Sequence, residues 1–271
     1  MIVDYHTHLR DPEERIDHTV EAVERFVDTA SARGLDEIGF TEHVYYFEQT
    51  RELWTEHYQL ERCVYDLDRY VGAVLQAKER GLPVKLGLEV DYFPGIEREL
   101  AEALEPYPWD YLLGSVHFVD GFAVDQQPGL VEKLGPAEGW RRYFVWLRNA
   151  ARSGLFDSLS HPDLVKHHGP RAETEQVHYL HEETADAIEA AGVCVEVSAA
   201  GLRKPVGEPY PDPALLGACR ERGVGITLAS DAHTPADVGR DLDRAVELAR
   251  DAGYETLTVF ECRRRRQEPL G

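Results

Sequence analysis

The spacing of apolar residues along this chain switches repeatedly between the period of a strand and that of a helix. Ile2, Val3 and Tyr5 predict a short first strand, and Val20, Val23, Phe26, Val27 and Ala30 then fall on one helical face that Gly34 is placed to stop. Later strands are predicted at Glu37–His43, Val84–Asp91, Tyr111–Phe118, Asp157–Asp163, Cys194–Ala199 and Gly225–His233. A helical stretch runs up to Gly81, and Trp140–Ser153 and Thr174–Ala191 also read as helices. Thr234 followed by Pro235 predicts a capped helix start, with Leu242, Ala245, Val246 and Ala249 as its inner stripe. Thr256–Phe260 fits an eighth strand or a closing segment, and the basic run Arg263–Arg266 fits a solvated end. Such alternation predicts an α/β fold with a parallel sheet and right-handed crossovers. With 271 residues, 43% of them hydrophobic, the chain has the size of one (β/α) barrel of about 250 residues, so residues 1–271 are expected to form a single domain.

Charge narrows the partners. Asp and Glu total 50 against 29 Lys and Arg, a formal net charge of −21, which repels nucleic acid and anionic lipid. Cys63, Cys194, Cys219 and Cys262 show no CxxC spacing and lie in segments that read as buried, which fits reduced thiols in a cytoplasmic protein. No run approaches the roughly 20 apolar residues needed to span a bilayer, and no leader pattern opens the chain. The expected partner is a small molecule, with neither nucleic acid nor membrane; the pattern leaves the oligomeric state open.

The chemistry begins at Asp4-Tyr5-His6-Thr7-His8. Two histidines two apart on a strand point to the same face, where both rings can reach one ion. His43, Glu89, His117, His161, and Asp231 with His233, fall at or near the C-terminal ends of later predicted strands, which in a barrel converge on one mouth. A histidine at a strand end can equally do no more than hydrogen-bond a carbonyl. Glu89 and Asp231 are harder to explain that way, because an acid within an apolar strand is costly to desolvate unless it is paired or coordinated. Asp4, Asp91 and Asp163 are placed to orient ligand histidines from behind.

His6-Thr7-His8, Thr41-Glu42-His43, Gly87-Leu88-Glu89-Val90-Asp91, Gly114-Ser115-Val116-His117, Ser160-His161-Pro162-Asp163 and Ser230-Asp231-Ala232-His233 resemble, in order and spacing, the motifs of the polymerase and histidinol phosphatase (PHP) superfamily. The resemblance spans nearly the whole chain. It implies a distorted (β/α)7 TIM-like barrel whose C-terminal mouth holds two or three divalent ions, with zinc, manganese and iron all suited to such mixed nitrogen and oxygen sites. Carried over by motif, His6, His8, Glu89 and Asp231 would hold the first ion. Glu89 would bridge to a second held by His117 and His161, and His43 and His233 would hold the third together with Glu14, six positions after His8.

Ala200-Gly201-Leu202-Arg203-Lys204-Pro205 and Glu89-Val90-Asp91-Tyr92-Phe93-Pro94-Gly95 resemble the histidinol-phosphate phosphatase branch. That branch implies hydrolysis of L-histidinol phosphate through a hydroxide held between metals. The alternative is a PHP phosphoesterase acting on a nucleotide or other small phosphate ester. Arg203, after the sixth strand, is placed to give phosphate a planar two-pronged donor, with Lys166 as a second cation. The leaving alkoxide needs a proton, for which a metal-bound water, Asp231 and His18 are the candidates, and Glu42 is a candidate for the substrate's cationic side.

Overall fold

The structure, a computed structural model, describes residues 1–11, 13, 15–126, 129–168 and 170–271. Parallel strands β1 (Val3–Asp4), β2 (Glu37–Phe40), β3 (Val84–Asp91), β4 (Tyr111–Ser115), β7 (Ser158–Leu159), β8 (Cys194–Ser198) and β9 (Ile226–Ala229) form a seven-stranded sheet in that order. A short antiparallel pair, β5 (Phe118–Val119) and β6 (Phe122–Ala123), interrupts the sequence. The sheet curls until its outer strands meet: Tyr5 N–H donates to Leu228 O at 3.0 Å, and Thr7 bridges Ala232. The result is the nearly closed, distorted parallel barrel that the motifs imply.

Helices link the strands: α1 (Val20–Ala32), α2 (His57–Arg62), α3 (Leu67–Glu79), α4 (Glu97–Leu104), α5 (Leu130–Leu134), α6 (Pro136–Arg152), α7 (Thr174–Ala191), α8 (Pro213–Glu221) and α9 (Leu242–Asp251). The stripe Val20, Val23, Phe26, Val27 and Ala30 is buried on α1, whose start is capped by Thr19 accepting from Ala22 N–H. Thr234 caps no α-helix. Pro235–Asp237 forms one 3₁₀ turn, the Thr234 hydroxyl donates to Asp237, and α9 begins only after Asp241 in the left-handed region.

The last predicted run resolves as a closing segment. β10 (Thr256–Glu261) pairs antiparallel with β11 (Arg264–Pro269), so the basic run is a paired strand and not a loose end. Its tight turn carries Cys262, which is exposed and not buried as its segment suggests; Cys63, Cys194 and Cys219 are buried, and all four thiols are free. Among the described residues, no helix is long and apolar enough to cross a membrane.

Inside the barrel, residues alternate along each strand. On β3 the apolar Val84, Leu86, Leu88 and Val90 alternate with Lys85, Gly87, Glu89 and Asp91. The barrel floor is aromatic: Tyr111 stacks on Tyr5 and on Phe260 of the closing hairpin, with centroids 5.1 and 5.5 Å apart, and its hydroxyl donates to Tyr5 O. Gly39 and Gly87 make room for that ring, since a Cβ at Gly39 would stand 2.0 Å from the Tyr111 hydroxyl. Gly114 does the same for Phe156, where an added Cβ would meet ring carbons at 2.4 Å. Gly114→Ala is therefore expected to cost about 1–3 kcal/mol by overpacking, read as a lower urea midpoint; an unchanged midpoint would contradict this packing.

Candidate metal centre

Above the aromatic floor, the strand ends deliver imidazoles and carboxylates to one place. Glu89 on β3 is fully buried at its centre. Its Oε1 accepts from the Ser115 hydroxyl at 2.7 Å and lies 3.0 Å from His161 Nε2 and 3.5 Å from His117 Nε2. Its Oε2 faces the other way, 2.8 Å from His43 Nδ1, 3.4 Å from His6 Nε2 and 3.7 Å from His8 Nε2. One carboxylate thus stands between two groups of imidazoles. Asp231 approaches from the β9 side, with Oδ1 at 3.5 Å from His8 Nε2, 3.8 Å from His6 Nε2 and 3.6 Å from His233 Nδ1. The His233 ring lies 4.4 Å from that of His8, and His8, His43 and His233 form a further compact group of possible ligands.

Two of these residues have uncommon backbones. His161 (φ 27°) and Asp231 (φ 52°) both sit at positive φ, which side chains other than glycine rarely adopt. Strain of this kind persists only where surrounding structure enforces it, and here it turns two strand-end side chains inward.

The residues fit divalent cations. His6 Nε2, His8 Nε2, His43 Nδ1 and Glu89 Oε2 are buried, lie around one point, and have no hydrogen-bond partner. Unpaired buried polar atoms are costly, and four of them converging is the arrangement of a coordination site rather than a self-satisfied polar core. Mixed imidazole and carboxylate donors suit zinc, manganese and iron. Burial would raise the Glu89 pKa, but the His6, His43 and His117 imidazoles and the His161 contact hold it well below the usual range. Asp231 is likewise kept ionised, against burial, by His6, His8 and His233. Burial works against protonating His117, yet Asp91 and Glu89 beside it push its pKa up to about 10. A cation must therefore displace a proton there, so apparent metal affinity is expected to rise with pH through the neutral range, with protons released on binding. Calorimetry in buffers of different ionisation enthalpy checks this, and metal uptake without proton release would contradict it.

Behind these groups lies a supporting layer, part of which the sequence motifs do not indicate. Asp91 accepts from His117 Nδ1 at 2.8 Å, the orienting role foreseen for it. Asp4 instead holds the loop that carries Asp231, accepting from the Ser230 and Gly239 amides and the Ser230 hydroxyl. Asp163 pairs with Lys166 and accepts from Asp212 N–H, and among the described residues it has no hydrogen bond or ion pair to a candidate ligand histidine. Glu196 on β8 is new: fully buried, it accepts from His6 Nδ1 at 2.7 Å and from His161 N–H at 3.1 Å. The signal was present, an acid within the apolar strand Cys194–Ser198, the same signal that singled out Glu89.

The other candidate residues lie behind or beside these groups, and burial corrects three of them, Lys166, Glu42 and His18. The Lys166 ammonium is fully buried and tied to Asp163 at 2.9 Å and to Pro209 O at 2.7 Å, so it is an internal link with no face for a phosphate. Glu42 is also wholly buried, accepting from Leu9 N–H at 2.6 Å with Oε2 3.7 Å from His8 Nδ1; it backs His8 and does not face substrate. His18 lies behind Glu42 at 3.5 Å, packed among Phe47, Tyr65 and Tyr70. The Arg203 guanidinium is already engaged, donating to Ser230 O at 2.5 Å and to Asp241 at 3.2 Å, and so braces the turn that carries Asp231. Glu14 lies outside the described residues.

Residues 4–200 match the family model of the PHP domain. The chain belongs to the PHP family. Among PHP proteins, a probable histidinol-phosphatase of Deinococcus radiodurans is 35% identical over 257 residues, covering 93% of this chain and 94% of that protein. The Bacillus subtilis histidinol-phosphatase is 26% identical over 81% of this chain and 90% of its own length. The fold matches the crystal structure of histidinol phosphate phosphatase from Lactococcus lactis, solved with zinc, L-histidinol and phosphate. There the TM-score is 0.79 at 21% identity, covering 98% of each chain.

Proposed function

We propose that this chain is a metal-dependent histidinol-phosphatase, hydrolysing L-histidinol phosphate to L-histidinol and inorganic phosphate in histidine biosynthesis, with residues 1–271 acting as one catalytic domain. The observation that carries the reading is Glu89, a fully buried carboxylate with one oxygen toward His117 and His161 and the other toward His6, His8 and His43. In this reading His6, His8, Glu89 and Asp231 hold one divalent ion, Glu89 with His117 and His161 a second, and His43 with His233 and Glu14 a third. Zinc, the metal of the Lactococcus lactis structure, heads the candidates, with manganese and iron beside it. Bound there, such ions supply the positive charge that a phosphate dianion demands and acidify water to a nucleophile at neutral pH.

The chain's own groups do the positioning. Glu89 holds the two imidazole groups at a fixed separation, Asp91 and Glu196 set the rings of His117 and His6, and Arg203 fixes the Asp231 turn through Ser230 O. Of the two side chains the sequence offers as proton donor to the leaving alkoxide, His18 is sealed behind Glu42 and Asp231 is held ionised by the imidazoles around it, so water is the remaining donor, with Asp231 placed only to relay its proton. Tyr45, stacked on His43 with centroids 4.9 Å apart, supplies an aromatic wall beside the site. Purified protein supplied with zinc or manganese should release phosphate from L-histidinol phosphate in strong preference to nucleotide and sugar monophosphates. Cleavage of those esters with histidinol phosphate ignored would refute the assigned substrate and leave the metal site standing.

A further inference from the structure

Glu196 stands in β8, next to β7 and separated from β1 by β9. A desolvated carboxylate is costly unless its oxygens are satisfied, and both of these are spent on candidate metal ligands: Oε2 on the His6 ring and Oε1 on the His161 amide. We propose that Glu196 is a positioning residue that fixes the tautomer of His6 and the backbone of His161 together, so that one carboxylate sets ligands for two adjacent ions. The inference rests on the assignment of His6 and His161 as metal ligands.

The Glu196 oxygen stands 2.7 Å from His6 Nδ1, and in our proposal it accepts the ring hydrogen there. His6 Nε2 is then the nitrogen left for a metal. It points to the middle of the cluster, 3.4 Å from Glu89 Oε2 and 3.8 Å from Asp231 Oδ1, where a metal needs a lone pair. The second oxygen holds the amide of His161, the residue at φ 27° whose ring reaches Glu89 at 3.0 Å. A charged acceptor on that N–H offsets the cost of the unusual backbone.

Glutamine is nearly the same shape and cannot do both tasks. With its oxygen on the His161 amide, its NH₂ donates to His6 Nδ1 and drives the ring hydrogen onto Nε2, removing the lone pair. With its oxygen on His6, the NH₂ opposes the His161 N–H. Alanine removes both acceptors but imposes neither conflict. A merely structural role would place E196Q close to the wild type and E196A far below it; tautomer control places E196Q at or below E196A in metal affinity.

The test is zinc affinity of the metal-stripped full-length proteins, measured by competition with a chromophoric chelator. The expected result is a loss of about 10–100-fold for E196Q, at least as large as for E196A. A second measurement needs no variant: long-range ¹H–¹⁵N spectra of the zinc-loaded wild-type protein should show the His6 hydrogen on Nδ1. Wild-type zinc binding together with an unaffected E196Q, or a His6 ring that carries its hydrogen on Nε2 in the zinc-loaded protein, would overturn this inference alone. Absence of zinc binding by the wild type would overturn the metal reading, and this inference with it.

Discussion

Replacing Glu89 by glutamine is expected to lower kcat for phosphate release by about 10³-fold, the upper end of what losing one preorganised electrostatic group costs. Glu89 has no neutral substitute, because its two oxygens face imidazoles on both sides and its charge is the element common to them. An amide keeps the volume, so the barrel should still close, but its NH₂ would face imidazole nitrogens that are required as ligands. Metal content measured on the same preparations should fall with activity. A kcat within tenfold of the wild type, at full metal content, would show that the carboxylate does not link the two groups.

Chelation should have the second large effect. Removing the ions is expected to abolish phosphate release and to lower the thermal midpoint, because anything that binds only the folded chain stabilises it. At a metal concentration a hundredfold above Kd the difference is about 2.7 kcal/mol. For a domain of this size that corresponds to a fall of roughly 5 °C. The unpartnered nitrogens of His6, His8 and His43 give a local reason: without a cation they must be protonated or hydrated inside the barrel. Zinc or manganese added back should restore both quantities. Activity that persists in protein shown by elemental analysis to be metal-free would rule out the mechanism.

The inner layer of this site was legible in the sequence because it obeys a rule of position. His6, His8, His43, Glu89, His117, His161, Asp231 and His233 occupy or closely follow strand ends, and a barrel brings such ends together whatever else it does. The outer layer was harder to read because its roles depend on which neighbouring strand a side chain faces. Glu196 and Glu42 are both buried acids beside the mouth, yet neither takes a place among the candidate ligands: Glu196 accepts from a histidine and a backbone amide, and Glu42 accepts from Leu9 N–H with its other oxygen turned toward His8 at 3.7 Å. Lys166 looked available because it follows a strand, but Asp163 and the Pro209 carbonyl claim its buried ammonium, while Arg203 stays partly exposed beside its contacts to Ser230 O and Asp241. At the far end of the barrel, Arg263–Arg266 read as a loose end because its charges hide a strand. The pairing with β10 is made by backbone groups, which side-chain chemistry does not announce.

The central claim is that cations bind on either side of Glu89, and anomalous diffraction at the zinc absorption edge from zinc-loaded crystals tests it most directly. The account predicts one peak among His6, His8, Glu89 and Asp231 and another among Glu89, His117 and His161. Zinc found only outside the barrel mouth, with these side chains hydrogen-bonded to one another, would contradict it.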